Sequence, residues 1–416
     1  MMIELLCDTF DVDARVREAA LRAYERTRVL EYPAQKRVKA RVLRAFYDEG
    51  IDESDLAGTS GYGYDDAARE RYEALLSRVL NAERTLARLS IVSGTHAIVT
   101  ALAACVAPGA RLIAAAGRPY DTLRNAICDA EYSLVSQGAC YEEIALSEDG
   151  SVDLDAIAAA AAAPDAGAVF VQRSRGYAPR PSLDVATCGK IAARVKEVAP
   201  HVPVLVDNCY GELVEEREPT HAGADLILGS LIKNLGGGLA PGGGYIAGRR
   251  DLVERVSARL YAPGLRSGLG PTFGFGRAFV QGLFVAPMVV EQTLRGLDFA
   301  AALFAELGFA VDPQPGSVRT DIVQAIRLRE PELLLRFAAG LQMAMPLNAR
   351  FRPEPGAVPG YIDPVVMSSG AFVGGATIEL SCDAPVRAPF EVYLQGGIVA
   401  EHAMLGALLA AQAVVH

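Results

Sequence analysis

Short apolar runs alternate with helical segments through the middle of this chain, and this alternation constrains the fold more than any other feature. Strands that are apolar on both faces and separated by helices form parallel sheets covered on both sides. The sequence therefore predicts an α/β fold with a mostly parallel sheet between helices. The apolar runs are RLIAAAG (111–117), GAVFVQ (167–172), VPVLVDN (202–208), ADLILGS (224–230) and GGYIAG (243–248).

The two flanks of this region have different patterns. Residues 13–48 show helical spacing interrupted at Pro33, and a long helical segment after residue 280 leads to several prolines, the predicted strand ATIELSC and a terminal helix. We predict three parts, with a cleft between the second and the third. They are an N-terminal helical segment (1–55), a large α/β domain (56–280) and a small α+β domain (281–416).

Charge and cysteine usage exclude several classes of protein. The net charge of -10 and the pI near 5.2 leave no basic surface for a nucleic acid. Seven cysteines without a CxxC pair are typical of reduced thiols and predict no metal site. The N-terminus does not resemble a signal peptide, and no apolar run reaches the roughly 18 residues of a membrane helix. We therefore predict a cytoplasmic protein without a membrane partner.

Polar residues follow two neighbouring predicted strands. Asp207 lies at the end of the apolar run in VPVLVDN, and Ser230 and Lys233 lie in the last four residues of ADLILGSLIK. Ligands of open α/β sheets gather at the carboxyl ends of the strands, so an acid and an amine are expected at one edge. On these residues alone, a structural ion pair explains the pattern as well as a reactive site does.

A third element favours a reactive site. SIVSGTHAIVTALAACV predicts a strand that leads through Ser93, Gly94 and Thr95 into a helix, whose N-terminus can bind an anion. Capping of the helix by Ser93 is the simpler explanation when the motif is taken alone. Together with Asp207 and Lys233 it predicts a pyridoxal phosphate site: phosphate on the helix, acid on the ring nitrogen and amine on the aldehyde.

Five motifs in order carry a family resemblance: SGTHAI, VDNCYGE, GSLIKNLGGG, APGGGYIAGR and VYLQGG. They resemble the methionine gamma-lyase-like group, often called aluminium resistance proteins, among the fold-type I pyridoxal phosphate enzymes related to cystathionine lyases. The resemblance spans roughly residues 55–410. It implies a seven-stranded type of sheet, a smaller C-terminal domain, an amino-acid substrate, and a homodimer or homotetramer with a shared active site.

The resemblance also implies roles for the strand-end residues. Lys233 is similar to the lysine that bonds to the cofactor and then moves protons at the substrate Cα and Cβ. Asp207 is similar to the acid that keeps the ring nitrogen protonated. Gly94 and Thr95 are expected to hold the phosphate through N–H groups, and Ser230 is expected to add a hydroxyl.

Aromatic residues are implied at two further places. Tyr120, in GRPYDTL, lies where related lyases have the ring that stacks on the cofactor, and His96 is a rival for that role. Tyr62 and Tyr64, in SGYGYDD, resemble a tyrosine that reaches the phosphate of the neighbouring subunit. A tight glycine turn with two packed tyrosines is the alternative for that motif.

An arginine is expected to bind the substrate carboxylate in a bidentate manner. Related lyases supply it near the strand that ATIELSCDAPVRAP resembles, which makes Arg387 the candidate, with Arg173 and Arg175 as competitors. The loop APGLRSGLGPTFGF (262–275) departs from the family pattern through Arg266 and its lack of an acid. This departure leaves a different native substrate possible, with Arg266 as a substrate contact.

The sequence thus predicts a lyase that eliminates a γ-substituent, a thiolate or a halide, from an amino acid. A β-lyase, an aldolase and a transaminase remain alternatives, because fold and cofactor do not determine the reaction. A non-catalytic nucleotide-binding regulator is a remote alternative, since the lysine precedes the glycines and no GxxxxGK[ST] order exists.

Overall fold

The computed structural model describes residues 2–416 and confirms the α/β fold with a mostly parallel central sheet. This sheet has seven strands. In chain order they are β1 (Arg84–Arg88), β2 (Arg111–Ala114), β3 (Cys140–Glu143), β4 (Ala166–Gln172), β5 (Val204–Asp207), β6 (Leu226–Ser230) and β7 (Gly244–Gly248). Their spatial order is β1-β7-β6-β5-β4-β2-β3, and only β7 runs against the other strands.

All five apolar runs of the large region form strands, whereas β1 and β3 were missed. The strand predicted just before Ser93 was wrong in position, because β1 ends at Arg88 and residues 89–92 form a turn. β1 contains two arginines, and the buried guanidinium of Arg88 pairs with Glu73. Charged residues lower the hydropathy of a segment, so a buried strand that contains them is not predicted from its apolar pattern. The ion pair with Glu73 allows Arg88 to be buried.

Helices cover both faces of the central sheet. Successive side chains of a strand point to opposite faces, so apolar residues at every position need cover on both sides. On β5, Leu205 packs in the layer that contains α5 and α9, while Val204 and Val206 pack in the layer on the other side. The α-helices of the first 260 residues are α1 (Met2–Thr9), α2 (Ala14–Thr27), α3 (Pro33–Glu49), α4 (Ala67–Val79), α5 (Gly94–Cys105), α6 (Asp121–Arg124), α7 (Leu154–Ala161), α8 (Val185–Val198) and α9 (Arg250–Leu260).

The C-terminal part forms a second, antiparallel sheet. Its strands are β8 (Ala310–Asp312), β9 (Val323–Arg327), β10 (Val365–Ser369), β11 (Ser381–Pro385) and β12 (Glu391–Gln395), in the order β10-β11-β12-β9-β8. The predicted strand ATIELSC was largely wrong, because only its last two residues belong to β11. The Glu379 carboxylate instead accepts the N–H groups of Phe372 and Val373 and closes a loop.

Three helices complete the C-terminal part: α10 (Gly276–Glu306), α11 (Pro331–Met343) and α12 (Ala400–Val415). The 31-residue α10 runs through the proposed domain boundary at residue 280, so the large and small parts share one continuous helix. Among the described residues, no helix combines the length and the apolar character needed to cross a membrane.

Candidate active site

A cavity of about 410 Å³ lies at the carboxyl edge of the central sheet. Ser93, Gly94, Thr95, Tyr120, Asp207, Ser230 and Lys233 are the predicted site residues among those that line it. A larger cleft of about 500 Å³ lies beside α4 and β1, where arginines and glutamates line it and none of the predicted residues does. Convergence of the predicted groups, rather than volume, identifies the smaller cavity as the candidate active site.

Asp207 and Lys233 meet because their strands are neighbours in the sheet. Asp207 is the last residue of β5, Lys233 follows β6 by three residues, and the Asp207 Oδ1 accepts the N–H of Cys209 at 3.1 Å. Burial raises the pKa of Asp207, and the charge of Lys233 opposes that effect. Burial disfavours the ammonium, but Cys209, Tyr210 and Asp207 outweigh it and hold the pKa of Lys233 well above its ordinary value.

The start of α5 forms a close cradle beside these groups. A Cβ atom at Gly94 would lie 3.1 Å from the Cys209 Sγ and 3.5 Å from the Ser230 Cβ, so glycine allows the backbone to approach the strand end. Ser93 caps the helix by accepting the N–H of His96 at 3.1 Å. The first N–H groups of a helix have no intrahelical acceptor, which leaves those of Gly94 and Thr95 available to an anion.

Tyr120 lines the cavity, and His96 is not among its lining residues. The Tyr120 hydroxyl lies 2.7 Å from the Thr95 Oγ1, and its backbone N–H donates to Gln172 Oε1 at 2.8 Å. The His96 Nδ1 accepts the N–H of Val92 at 3.2 Å and so closes the turn before α5. This placement supports Tyr120 as the stacking residue.

The three predicted arginines differ in their surroundings. Arg173 is fully buried, and its guanidinium donates to Leu183 O, Asn208 Oδ1, Thr320 O and the Glu215 carboxylate. Its hydrogen bonds are therefore already used within the protein. Arg175 and Arg387 instead line a second cavity of about 240 Å³ that shares Tyr120, Tyr177 and Tyr361 with the first.

Both of these arginines are held by acids at that second cavity. Arg387 Nη1 lies 3.1 Å from Asp121 Oδ2 and 3.4 Å from Asp363 Oδ2, and its Nη2 donates to Tyr177 O at 3.0 Å. Arg175 Nη1 lies 2.7 Å from Asp312 Oδ2. A substrate carboxylate would therefore share either guanidinium with an existing partner.

Tyr62 and Tyr64 do not line the cavity of their own chain. Their side chains are 77% and 58% exposed, and their ring centroids lie 6.1 Å apart. Their loop packs against residues 268–275, where Gly270 donates its N–H to Tyr62 O at 3.0 Å. Exposure suits the predicted contact with a neighbouring subunit. The side chain of Arg266, in the same region, lies outside the described part of the structure.

Among the other residues that line the cavity, four that the sequence analysis did not select carry a phenol or a thiol: Tyr177, Cys209, Tyr210 and Tyr361. Tyr177 packs on Tyr361 with ring centroids 5.3 Å apart. Cys209 and Tyr210 were within reach, because both belong to VDNCYGE. Tyr177 and Tyr361 come from distant segments, and no spacing in the sequence connects them.

The described residues fit pyridoxal phosphate. A glycine cradle and a helix start suit its phosphate, an acid at a strand end suits its ring nitrogen, and a lysine near that acid suits its aldehyde. Four tyrosines add aromatic surface to the lining of the cavity. The arrangement can therefore hold an anionic aromatic aldehyde and move protons beside it.

Comparisons with known proteins agree with this geometry. The sequence profile of the family described as methionine gamma-lyase matches residues 15–415. YnbB of Bacillus subtilis is 41% identical over 366 residues, which are 87% of this chain and 87% of that protein.

Solved structures show the same likeness. A candidate cystathionine beta-lyase involved in aluminium resistance from Clostridium acetobutylicum superposes with a TM-score of 0.94 at 38% identity, over 99% of this chain and 98% of that one. A carbon-sulfur lyase involved in aluminium resistance from Clostridium novyi NT gives 0.92 at 37% identity, over 98% of each chain. YhfS of Escherichia coli, a pyridoxal-5'-phosphate-dependent protein, gives 0.58 at 19% identity over 90% of this chain and 94% of that one, a likeness of fold alone.

Proposed function

Because the chain belongs to the methionine gamma-lyase family of pyridoxal phosphate-dependent carbon–sulfur lyases, we propose that it eliminates a thiolate or a halide from the γ-carbon of an amino acid. The observation that carries this proposal is the meeting of Lys233, Asp207 and the start of α5 in one cavity. The family profile, which matches nearly the whole chain, supports the γ-position.

The chain's own residues divide the work of holding the cofactor. The N–H groups of Gly94 and Thr95 and the hydroxyl of Ser230 would bind the phosphate, and the carboxylate of Asp207 would hold the ring nitrogen. Pyridoxal phosphate, when bound, supplies an aldehyde for amines and a ring that withdraws electrons from the substrate Cα. Tyr120 would stack on that ring.

Lys233 is the group that moves protons. Its Nζ would hold the cofactor through the aldehyde, and the free amine would take the proton from the substrate Cα. A γ-elimination needs a second proton transfer, at Cβ, and the flexible four-carbon arm of a lysine can serve both atoms. Arg387, with Arg175 as the competitor, binds the substrate carboxylate and presents Cα to this amine.

β-Elimination is the second candidate. It is supported by the likeness to the candidate cystathionine beta-lyase of Clostridium acetobutylicum, which covers 99% of this chain. The same residues serve both reactions, since β-elimination requires only the proton transfer at Cα. The products separate the two: a γ-substituted substrate yields a four-carbon 2-oxo acid or an unsaturated product, whereas a β-substituted one yields pyruvate.

The test begins with the absorption spectrum of the purified protein after addition of pyridoxal phosphate. We expect a visible band that Lys233→Ala abolishes, together with a loss of turnover of at least about a thousandfold. The exposed Lys190→Ala serves as the matched control and should keep both. A wild-type protein that never acquires the band would refute the proposed function.

The reaction itself is then assigned by turnover of paired γ- and β-substituted amino acids bearing the same leaving group. Formation of the four-carbon product at the higher kcat/KM supports γ-elimination. Pyruvate as the preferred product would transfer the assignment to β-elimination. Amine transfer to an added keto acid would instead indicate a transaminase.

A further inference from the structure

The aromatic ring of Tyr210 lies against the amine of Lys233. The Lys233 Nζ is 3.8 Å from the centroid of the Tyr210 ring, well within the range in which a cation is attracted to the negative face of an aromatic ring. Both residues line the same cavity. The roles described above make no use of this ring.

The backbone at Tyr210 has a conformation that tyrosine rarely adopts. Its φ is 72°, in the left-handed region that favours glycine, asparagine and aspartate. Side chains of this size avoid that region unless their surroundings enforce it, and such residues cluster at functional sites.

The left-handed turn is tied directly to the lysine segment. The Tyr210 carbonyl accepts the Asn234 Nδ2–H at 3.0 Å and the N–H of Ile322 at 3.2 Å. Asn234 is the residue after Lys233, and its Nδ2 also donates to Glu212 O at 2.8 Å. The Asn234 side chain therefore joins the backbone of the Tyr210 turn to the residue that follows Lys233.

The Tyr210 ring can stabilise the charged form of the Lys233 amine. A buried ammonium loses its hydration, and that loss is severe unless nearby groups replace it. Asp207 is the acid at the strand end, but that carboxylate also has to face the cofactor's ring nitrogen. The face of an aromatic ring offers a second, uncharged site that attracts the ammonium without competing for that role.

We propose that Tyr210 is a positioning residue, which holds the Lys233 amine on the face of its ring whenever the amine is not bonded to the cofactor. The ring keeps the amine beside the substrate Cα instead of letting the side chain swing toward Asp207. The contact with Tyr210 thus gives the amine a defined resting position. Only the catalytic consequence of this contact rests on the proposed function of Lys233.

The test uses the cofactor-free protein and three variants: Tyr210→Phe, Tyr210→Leu and Tyr210→Asn. The rate at which the visible band grows after addition of pyridoxal phosphate is measured against pH, because only the neutral amine reacts. The ring stabilises the charged amine, so its removal lowers the amine's pKa. We expect Leu and Asn to shift the profile to lower pH by about one unit, and Phe, which keeps the ring and loses only the hydroxyl that hydrogen-bonds to the amine, to shift it less.

Asparagine is included because it tolerates the left-handed conformation and keeps the test valid if the leucine variant does not fold. Tyr393→Leu removes another buried ring of the same cluster, which packs on Tyr177 at 5.3 Å, and should leave the profile unchanged. A wild-type profile in both Leu and Asn would overturn the proposal. A shift in Phe equal to that in Leu would also overturn it, because it would assign the effect to the hydroxyl.

A second measurement separates this proposal from the proposed function. Acetylation of Lys233 by acetic anhydride at a series of pH values, followed by peptide mass spectrometry, reports the pKa of the amine without any cofactor. If the wild type never binds pyridoxal phosphate, the proposed function fails. The acetylation profiles of the same variants still decide the role of Tyr210 by the same shift of about one unit.

Discussion

The floor of the candidate cavity and the outer loops that carry Tyr62, Tyr64 and Arg266, called the rim here, are built in different ways. The floor, defined here as Gly94, Thr95, Asp207, Ser230 and Lys233, comes from strand ends, the turn after one of them and a helix start, and the backbone pairing of the sheet fixes Asp207 and Ser230. Among the described residues, those of the rim, defined as the loops 58–64 and 262–275, do not line this cavity in its own chain. Tyr62 and Phe273 of the rim are 77% and 58% exposed.

This difference predicts different roles for the floor and the rim. A sheet edge places an acid, an amine and a helix start with little freedom, so the floor suits a chemistry shared by a whole class of enzymes. Loops tolerate substitution and can complete their contacts in another subunit. We therefore expect changes in the floor to affect the chemical step, and changes in the rim to affect cofactor retention and stability.

The largest effect is expected from Asp207→Asn. The amide keeps the shape of the side chain but loses the negative charge opposite the ring nitrogen, so kcat/KM should fall by about 100- to 1000-fold. Steady-state kinetics at saturating cofactor provides the measurement. Asp298→Asn is the control: this acid is 2% exposed and paired with Arg319 away from the cavity. Loss of stability without loss of kcat/KM is expected there, and an equal loss of kcat/KM would contradict the assignment.

Arg387→Met should come next. Loss of a guanidinium that binds the substrate carboxylate should raise KM by about 10- to 100-fold and change kcat less. Arg175→Met is the matched variant, because both side chains line the same cavity. If only Arg175→Met raises KM, the carboxylate contact belongs to Arg175. Unchanged KM in both variants would remove this cavity from the substrate path.

A smaller effect is expected in the rim, from Tyr62→Phe and Tyr64→Phe. Loss of one hydroxyl from a charged phosphate should weaken cofactor binding by about tenfold in one of the two variants, as read by equilibrium titration. Tyr47→Phe is the control, since Tyr47 is 80% exposed on α3. A site shared between subunits also predicts that Lys233→Ala protein mixed with the double tyrosine variant regains activity. Absence of that recovery would place both tyrosines outside the neighbouring site.

The smallest effect on turnover is expected from Asp66→Asn, which tests how the rim is attached. The Asp66 carboxylate accepts N–H groups from Thr59, Arg69 and Thr272 and so joins the two rim loops. Burial opposes its charge, but these hydrogen bonds outweigh burial and hold the pKa of Asp66 below its ordinary value. The stabilisation is therefore present above about pH 4, the ordinary value of an aspartate, and is lost as the pH falls through the lower folded value.

Thermal unfolding of the wild type and of Asp66→Asn at pH 3 and at pH 7 provides the measurement. The variant should unfold at lower temperature at pH 7, and the difference should narrow at pH 3. The neighbouring Asp65→Asn is the control, because Asp65 is exposed with φ of 54°, a conformation that asparagine also adopts. A constant difference at both pH values would show that the charge of Asp66 does not hold the rim.

Sequence patterns predicted the floor better than its surroundings. The five apolar runs became strands because each is short, apolar and flanked by glycine or polar residues, and Asp207, Ser230 and Lys233 follow from the ends of those strands. β1 and β3 were missed because Arg84, Arg88 and the acids of CYEE carry charges that the tertiary structure pairs or exposes. A hydropathy pattern does not show which residues will pair with these charges.

The tyrosines around the cavity could not be predicted from local sequence patterns, for a different reason. Tyr177 and Tyr361 meet at the cavity only because the antiparallel sheet brings its loops over the edge of the central sheet. Tyr210 stood in a motif that had been identified, yet its importance depends on a left-handed φ and on the position of the Lys233 amine. The motif VDNCYGE predicts neither this backbone conformation nor the position of the amine.

By itself, the sequence determined the α/β class and the pyridoxal phosphate chemistry, because both follow from residues within a few positions of a strand end or a helix start. Tertiary structure alone decided how each side chain's charge is used. Arg173 and Arg175 are two positions apart and look equivalent in VQRSRGY, yet Arg173 is surrounded by four protein acceptors while Arg175 lines a cavity. The reason is that a buried charge must be satisfied by partners, and those partners come from distant segments that only the folded chain brings together.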